Sequence, residues 1–362
     1  MLADFRIAAR SLAKSPGFTG AAVAALALGI GANTTIFSGI NSMLLNPGGV
    51  DRPERVVGIR AKYDKLNLKS ISLSLTDYDD IRKAKHLFAA AAVAGGNEFS
   101  YLAGGVPERL FGARVSPQWF DVFGARPLHG RLFRDEEDQP KANYVVVLSY
   151  GTWQRLFGGR LDALGQKIDL NRESYEIIGV MPPEFRVPAI ANFWYPAGFA
   201  AEEYGPRNRF NESWNVMARL QPGVTFDQAN AAVKTLAWRN LTPDQRTYAE
   251  SSQWGMFAIT WTEQVVGEAR LAMLVLIGAV AFVLLIACSN IAGLLLARAS
   301  GKAREIAVRS ALGAGRFRII REALAESLLL AAGGAVAGLA LAYAGLRALV
   351  AIAPPELYAD RI

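Results

Sequence analysis

One cysteine, Cys288, and two histidines, His86 and His129, are the whole stock of thiol and imidazole in this 362-residue chain. A disulfide within the chain is therefore impossible, and so is a zinc centre built on several Cys or His ligands. Neither histidine has a Ser, Asp or metal-ligand partner at a useful spacing, which leaves structural or surface roles for both. Ser149 lacks the G-x-S-x-G frame of a nucleophile elbow. The pair Gly301-Lys302 is followed by Ala303, where a P-loop needs Ser or Thr, and Leu296 stands where its first Gly belongs. ATP, if the machine uses it, is then bound by another polypeptide. The acidic run Asp135, Glu136, Glu137, Asp138 reads as a solvated loop rather than a cation site. No catalytic, cofactor-binding or metal-binding residue is assigned.

Charge is missing from three long stretches. Residues 18–45, 271–297 and 327–346 carry no Asp, Glu, Lys or Arg, and each reaches the roughly 20 apolar residues that a helix needs to cross a bilayer. The composition agrees, with 52% hydrophobic residues and a mean hydropathy of +0.18: too apolar for an ordinary soluble enzyme, too polar for a protein held wholly in lipid. The first run is too long for the apolar core of a cleavable signal peptide and reads as an uncleaved anchor.

Positive charge is what the chain has in excess, +7 in formal net charge. Arg6, Arg10 and Lys14 precede the first run; Arg298, Lys302, Arg304, Arg309, Arg316, Arg318 and Arg321 follow the second. Basic flanks stay in the cytoplasm. This gives an amphipathic cytoplasmic helix over 1–17, a transmembrane helix over 18–45 and an exported domain over 46–270. A second span over 271–297, a cytoplasmic loop over 298–326, a third span over 327–352 and an exported tail over 353–362 follow. The charge is thus topogenic, and a nucleic-acid partner is not expected. The N-terminal helix sets Leu2, Phe5, Ile7, Ala9 and Leu12 against lipid and its three basic residues against anionic headgroups, with Pro16 ending it. Small residues recur at every fourth position, Ala21, Ala25, Gly29 and Asn33 in the first span and Gly334, Gly338 and Ala342 in the third. Such stripes let helices pack closely, and an Asn can bond across the interface. The abundance of Ala and Gly in this chain would also produce them.

The exported segment alternates short β-branched runs (55–61, 143–150, 174–181, 214–220) with helical patterns (75–84, capped by Thr76, and 228–241), which predicts an α+β domain. Trp119, Phe120, Phe123, Trp153 and Phe157 are expected in its core or at an interface between subdomains. The loop segment REIAVRSALGA (304–314) has a helical pattern: Ile306, Val308, Ala311 and Leu312 form a partly apolar face and Gly313 a stop. It suits docking into a groove of a cytoplasmic partner, although a purely topogenic loop would also be basic.

ASGKAREIAVRSALGAGRFRIIREALAESLLLAAGGAVAG resembles the FtsX-like permease segment of MacB-type ABC systems. LAKSPGFTGAAVAALALGIGANTTIFSGINSMLLNP is similar to the first span of that group, in particular of the acidobacterial duplicated orphan permeases. ERLFGARVSPQWFDVFGARPLHGRLF, VVVLSYGTWQRLFGG and YEIIGVMPPEF resemble the MacB-like periplasmic core domain. The resemblance implies an inner-membrane permease subunit of the mechanotransmission class with a large α+β periplasmic domain. Its coupling helix, matching Arg304, Glu305, Ile306, Ala307, Val308, Arg309, Leu312, Gly313 and Ala314, would contact a separate cytoplasmic ABC ATPase. A homodimer, or a pseudo-dimer with a duplicated second half, and a periplasmic adaptor are further implied partners. Export or efflux is the leading expectation; an FtsX-like regulator that activates a cell-envelope enzyme is the alternative. The family unit has four spans where this sequence has three, which reads either as a fragment or as a protein in which a fourth span, with or without a duplicated second half, follows.

Overall fold

Pro16 divides the start of the chain into two helices in the computed structural model, which describes residues 2–45, 48–103, 106–267, 270–301 and 316–352. Helix α1 runs Leu2–Ala13 and α2 runs Pro16–Leu45. Proline at the first helical position loses no hydrogen bond, because that amide has no partner in a helix. Lys14 and Ser15 make the break, and Thr19 Oγ1 donates back to Leu12 O at 2.9 Å. The first helix therefore ends before the expected residue 17.

Eleven strands join one sheet among the described residues. In chain order they are β1 (Val56–Tyr63), β2 (Leu68–Ile71), β3 (Phe88–Ala103), β4 (Val106–Val115), β5 (His129–Gly130) and β6 (Val145–Leu148). Then come β7 (Lys167–Leu170), β8 (Glu173–Val180), β9 (Phe193–Pro196), β10 (Asn215–Leu220) and β11 (Trp254–Thr260). The path is β11-β1-β10-β3-β4-β9-β6-β8-β5, with β2 added to β1 and β7 bridging β3 and β8. Pairs β4/β9 and β6/β8 are parallel; the others are antiparallel. Helices α3 (Leu75–Lys83), α4 (Trp119–Phe123), α5 (Tyr150–Phe157), α6 (Phe226–Arg239), α7 (Pro243–Ser252) and α8 (Trp261–Val266) pack on or beside it. The domain is α+β.

Local chemistry sets the element ends. Ser74, not Thr76, caps α3: its Oγ accepts from Asp77 N at 3.1 Å while Asp77 accepts from Ser74 N, a reciprocal capping box. Thr76 instead donates to Gly205 O. The strand expected over 143–150 stops at Leu148 because Ser149 caps α5, its Oγ accepting from Thr152 N. Gly112 is forced by close approach, since a Cβ there would lie 2.6 Å from the Phe193 ring. Trp119, Phe120 and Phe123 are buried in a central cluster with Trp194 and Phe185; Trp153 is buried and Phe157 half-buried in a second cluster around Phe193.

Two further helices follow among the described residues, α9 (Arg270–Gly301) and α10 (Arg316–Ile352). With α1 and α2 they form one compact unit, and residues 48–267 form the other. Pro16–Thr35, Leu274–Arg298 and Leu324–Gly345 are long and apolar enough to cross a membrane. Helix α10 is continuous through Glu326, so the third span carries an uninterrupted N-terminal extension.

Candidate functional site

Four helices of the first unit converge on one side chain. Arg298, near the C-terminal end of α9, donates through Nη2 to Ser11 Oγ at 3.0 Å and to Ser11 O at 3.2 Å. Its Nε lies 3.6 Å from Oε2 of Glu326 on α10, and both side chains are 11% exposed. The guanidinium also stacks 4.4 Å above the ring of Phe18 on α2. Leu12, Ala22 and Leu330 are buried in the same knot, with Leu294, Leu295 and Leu329 against them. Among the described residues Arg298 Nη1 is buried without a hydrogen-bond partner.

The apolar surround explains why Arg rather than Lys stands here. A planar guanidinium serves an acid, a hydroxyl and an aromatic face at once, whereas an ammonium is a point charge. Taking such a pair out of water is costly, and removing one partner leaves the other stranded, at about 3–5 kcal/mol. The junction thus holds its four helices in one arrangement. It ties the C-terminal end of α9 to α1 and to α10 at Glu326, ten residues into that helix. The expected coupling residues Arg304, Glu305, Ile306, Ala307, Val308, Arg309, Leu312, Gly313 and Ala314 lie outside the described residues, as does Ala311.

Helix α1 departs from its expected role. Ala8 and Leu12 are buried and Ser11 is engaged by Arg298, so part of the face expected to meet lipid meets protein instead. Arg6, Ile7, Arg10 and Lys14 are exposed. Further along the bundle, α10 packs on α2 through glycine. A Cβ on Gly334 would fall 2.3 Å from Leu26 Cβ, and one on Gly338 would fall 2.9 Å from Ile30 Cβ; Ala342 is buried beside Gly31. The first-span stripe divides. Gly29 faces α9, where a Cβ on it would lie 3.2 Å from Ala287 Cβ; Ala25 is half-buried and Ala21 is exposed. Asn33 makes no bond across an interface among the described residues but donates to Gly29 O of its own helix at 2.8 Å. Steps of four residues advance about 40° around a helix of 3.6 residues per turn, so three such steps carry a stripe from one neighbour to the next.

In the sheet unit the acidic run is dispersed. Glu137 takes a two-pronged bond from Arg131, Asp138 accepts from Gly198 N at 2.7 Å and Asp135 accepts from Gln118. The described residues hold no cluster of three His, Cys, Asp or Glu suited to a metal ion. His129 lies against the Trp153 ring and His86 is exposed. Two polar knots fasten the strap between β9 and β10. Arg209, 3% exposed, donates to Asp77 at 2.8 Å and Asp80 at 2.6 Å. Glu212 accepts from Tyr63 Oη and from Trp254 Nε1, each at 2.8 Å. Burial pushes the Glu212 carboxyl up to about 7, against the pull of those two donors. Burial likewise lifts Asp138 to about 6.

Sequence reasoning passed over the Arg298 junction, reading both charges as loop residues. A signal was present: Glu326 stands between Leu324 and Leu328 at the start of the long apolar run of its helix, and an ionisable group at the edge of such a run points to a partner.

Comparison with known proteins supplies the family. The MacB-like periplasmic core domain matches residues 19–236 and the FtsX-like permease C-terminal segment matches residues 277–359. The macrolide export ATP-binding/permease protein MacB of Neisseria meningitidis is 25% identical over 89% of this chain and 48% of its own length. The probable syringafactin export ATP-binding/permease protein SyfD of Pseudomonas syringae pv. tomato is 26% identical over 64% of this chain and 33% of its own. The crystal structure of the periplasmic region of MacB from Actinobacillus actinomycetemcomitans aligns with a TM-score of 0.43 at 16% identity, covering 63% of this chain and 98% of that one. The chain spans about half the length of the MacB protein it matches, or less of the other relative. Since the core-domain match covers more than half of the sequence, the chain belongs to the MacB/FtsX-like ABC permease family, joining a MacB-like periplasmic core domain to an FtsX-like permease segment.

Proposed function

We propose that the chain is the membrane-spanning permease part of an ABC-type mechanotransmission system. ATP hydrolysis by a separate cytoplasmic ATPase moves the coupling segment 304–314, and α9 and α10 carry that motion to the sheet domain on the periplasmic side. The observation that carries this reading is the Arg298 junction, which joins the C-terminal end of α9 to α10 at Glu326, ten residues into that helix, and to α1. A push on the segment would then displace both helices together rather than be absorbed at a loose loop. The orientation follows from the basic flanks, with the N-terminus and segment 298–326 cytoplasmic and residues 46–270 periplasmic. The chain works as a homodimer or beside a duplicated second half. An unidentified substrate is exported from the periplasm without passing between these helices, and the export named for both relatives favours this over regulation of an envelope enzyme.

Purification in mild detergent followed by mass spectrometry tests the partnership. An ATPase with Walker motifs should accompany the protein and be lost with Leu312→Asp, while Leu312→Ile retains it. Absence of any such ATPase from the unaltered protein would defeat the proposal.

A further inference from the structure

Arg219 on β10 is buried, at 8% exposure, yet only part of its guanidinium is engaged. Nε donates to Val122 O at 2.8 Å and Nη2 to Asp51 O at 2.6 Å, which ties the end of α4 to the chain before β1. Nη1 makes no hydrogen bond among the described residues, and Asp51 Oδ2 stands 4.0 Å from it, outside hydrogen-bond reach. Burial pulls this guanidinium below its ordinary range despite the charge of Asp51. Arg219 lines an open cleft of about 200 Å³ together with Asp51, Asp121, Gly124, Ala125 and Arg126, well above the room that one water needs. Gly124 keeps the cleft clear: a Cβ there would lie 2.8 Å from Asp51 Cβ and 3.0 Å from Arg219 Nη2.

The lining thus holds two guanidinium groups and two carboxylates. Among the described residues the side chains of Asp51, Asp121 and Arg126 make no hydrogen bond, and all three are exposed. A bare anion would face both carboxylates and a bare cation both guanidinium groups. A ligand carrying one charge of each sign meets neither conflict. Among the described residues no aromatic ring lines the cleft, so it lacks the cage that holds a quaternary ammonium. Its carboxylates instead offer acceptors to an ammonium that has N–H groups to donate. We infer that this cleft binds a phosphoethanolamine group, its phosphodiester on Arg219 Nη1 and Arg126 and its primary ammonium on Asp51 and Asp121. The free oxygens of a phosphodiester are well matched to guanidinium N–H groups. A free solute and a phospholipid headgroup both present this group. The inference is independent of the coupling proposal and needs no ATPase.

Calorimetric titration of the full chain in a nonionic detergent tests it, with glycerophosphoethanolamine as the probe. The probe should bind at least about tenfold more tightly than glycerol 3-phosphate or ethanolamine, the scale of one charged hydrogen bond. Arg219→Gln should abolish binding but also loosens α4, so two exposed positions decide. Arg126→Gln and Asp121→Asn should each weaken binding at least about fivefold and leave the thermal midpoint in place. In nanodiscs of phosphatidylethanolamine the probe should be blocked if the headgroup is the source, and not in nanodiscs of phosphatidylcholine. Unblocked binding in both keeps the site and assigns it to a free solute. No binding of the probe, equal affinity for either half of it, or binding indifferent to both Arg126→Gln and Asp121→Asn overturns the inference.

Discussion

Glu212 shows how a single carboxyl can make this fold sensitive to pH. Its pKa stands near 7 in the folded domain against 4.5 unfolded, so the folded state holds the proton more tightly. The stability linked to that proton is complete below about pH 4.5 and is lost as pH rises through about 7. Asp138, raised from 3.8 to about 6, adds the same sign at lower pH. The midpoint of thermal unfolding should therefore rise as pH falls from 8 to 5. Glu212→Gln should raise it at pH 8, by about 2–4 °C per kcal/mol for a domain of this size, and flatten the slope. A slope unchanged by the substitution would remove Glu212 as its source. Arg209 carries the opposite risk. Its loss leaves Asp77, wholly buried, without its cation, so Arg209→Met should destabilise by about 3–5 kcal/mol, with part recovered by adding Asp77→Asn. Denaturant titration of the two variants reads both effects. Neither knot was legible in the sequence, because Arg209 and Asp77, like Glu212, Tyr63 and Trp254, meet only once the strap has closed over the sheet. The Ser74 capping box was legible, since Ser-Leu-Thr-Asp has the required spacing, yet Thr76 drew the assignment.

Among elements, the three long helices were plain in the sequence because charge-free runs of that length have few other uses. The hairpin β3–β4 was not, since FAAAAVAGG offers no alternation and a single β-branched residue, Val93; the cross-strand partners supply what local propensity lacks. The seam between α2 and α10 makes a sharp contrast available. Gly334→Val places side-chain atoms where Leu26 already stands and should force the helices apart, lowering thermal stability and yield from membranes. Gly278→Val, where a Cβ meets nothing within 4 Å, should leave both unchanged. Equal behaviour of the two would contradict the seam. The Arg298 junction makes its own forecast: Arg298→Ala should free α1, seen as faster cleavage near Lys14 in limited proteolysis. Arg298→Lys should protect only partly, because an ammonium cannot serve Ser11, Glu326 and Phe18 together.

For the molecule as a whole, the order of its parts matters more than any one of them: basic helix, span, sheet domain, span, basic segment, span. The proposed topology puts Lys69 on β2, exposed, outside the cell membrane. With Cys288→Ser, a cysteine at position 69 should be labelled by an impermeant maleimide when the outer membrane alone is opened, whereas one at position 302 should be labelled only after lysis. The central claim is that ATP turnover in the partner ATPase, passed on through segment 304–314, is felt in the sheet domain. Hydrogen exchange across residues 46–268, with and without ATP in the reconstituted complex with its ATPase, addresses it most directly. The account predicts an ATP-dependent change in exchange in the intact protein and none with Leu312→Asp. An exchange pattern indifferent to ATP in the intact protein, or the same change in the variant, would contradict it.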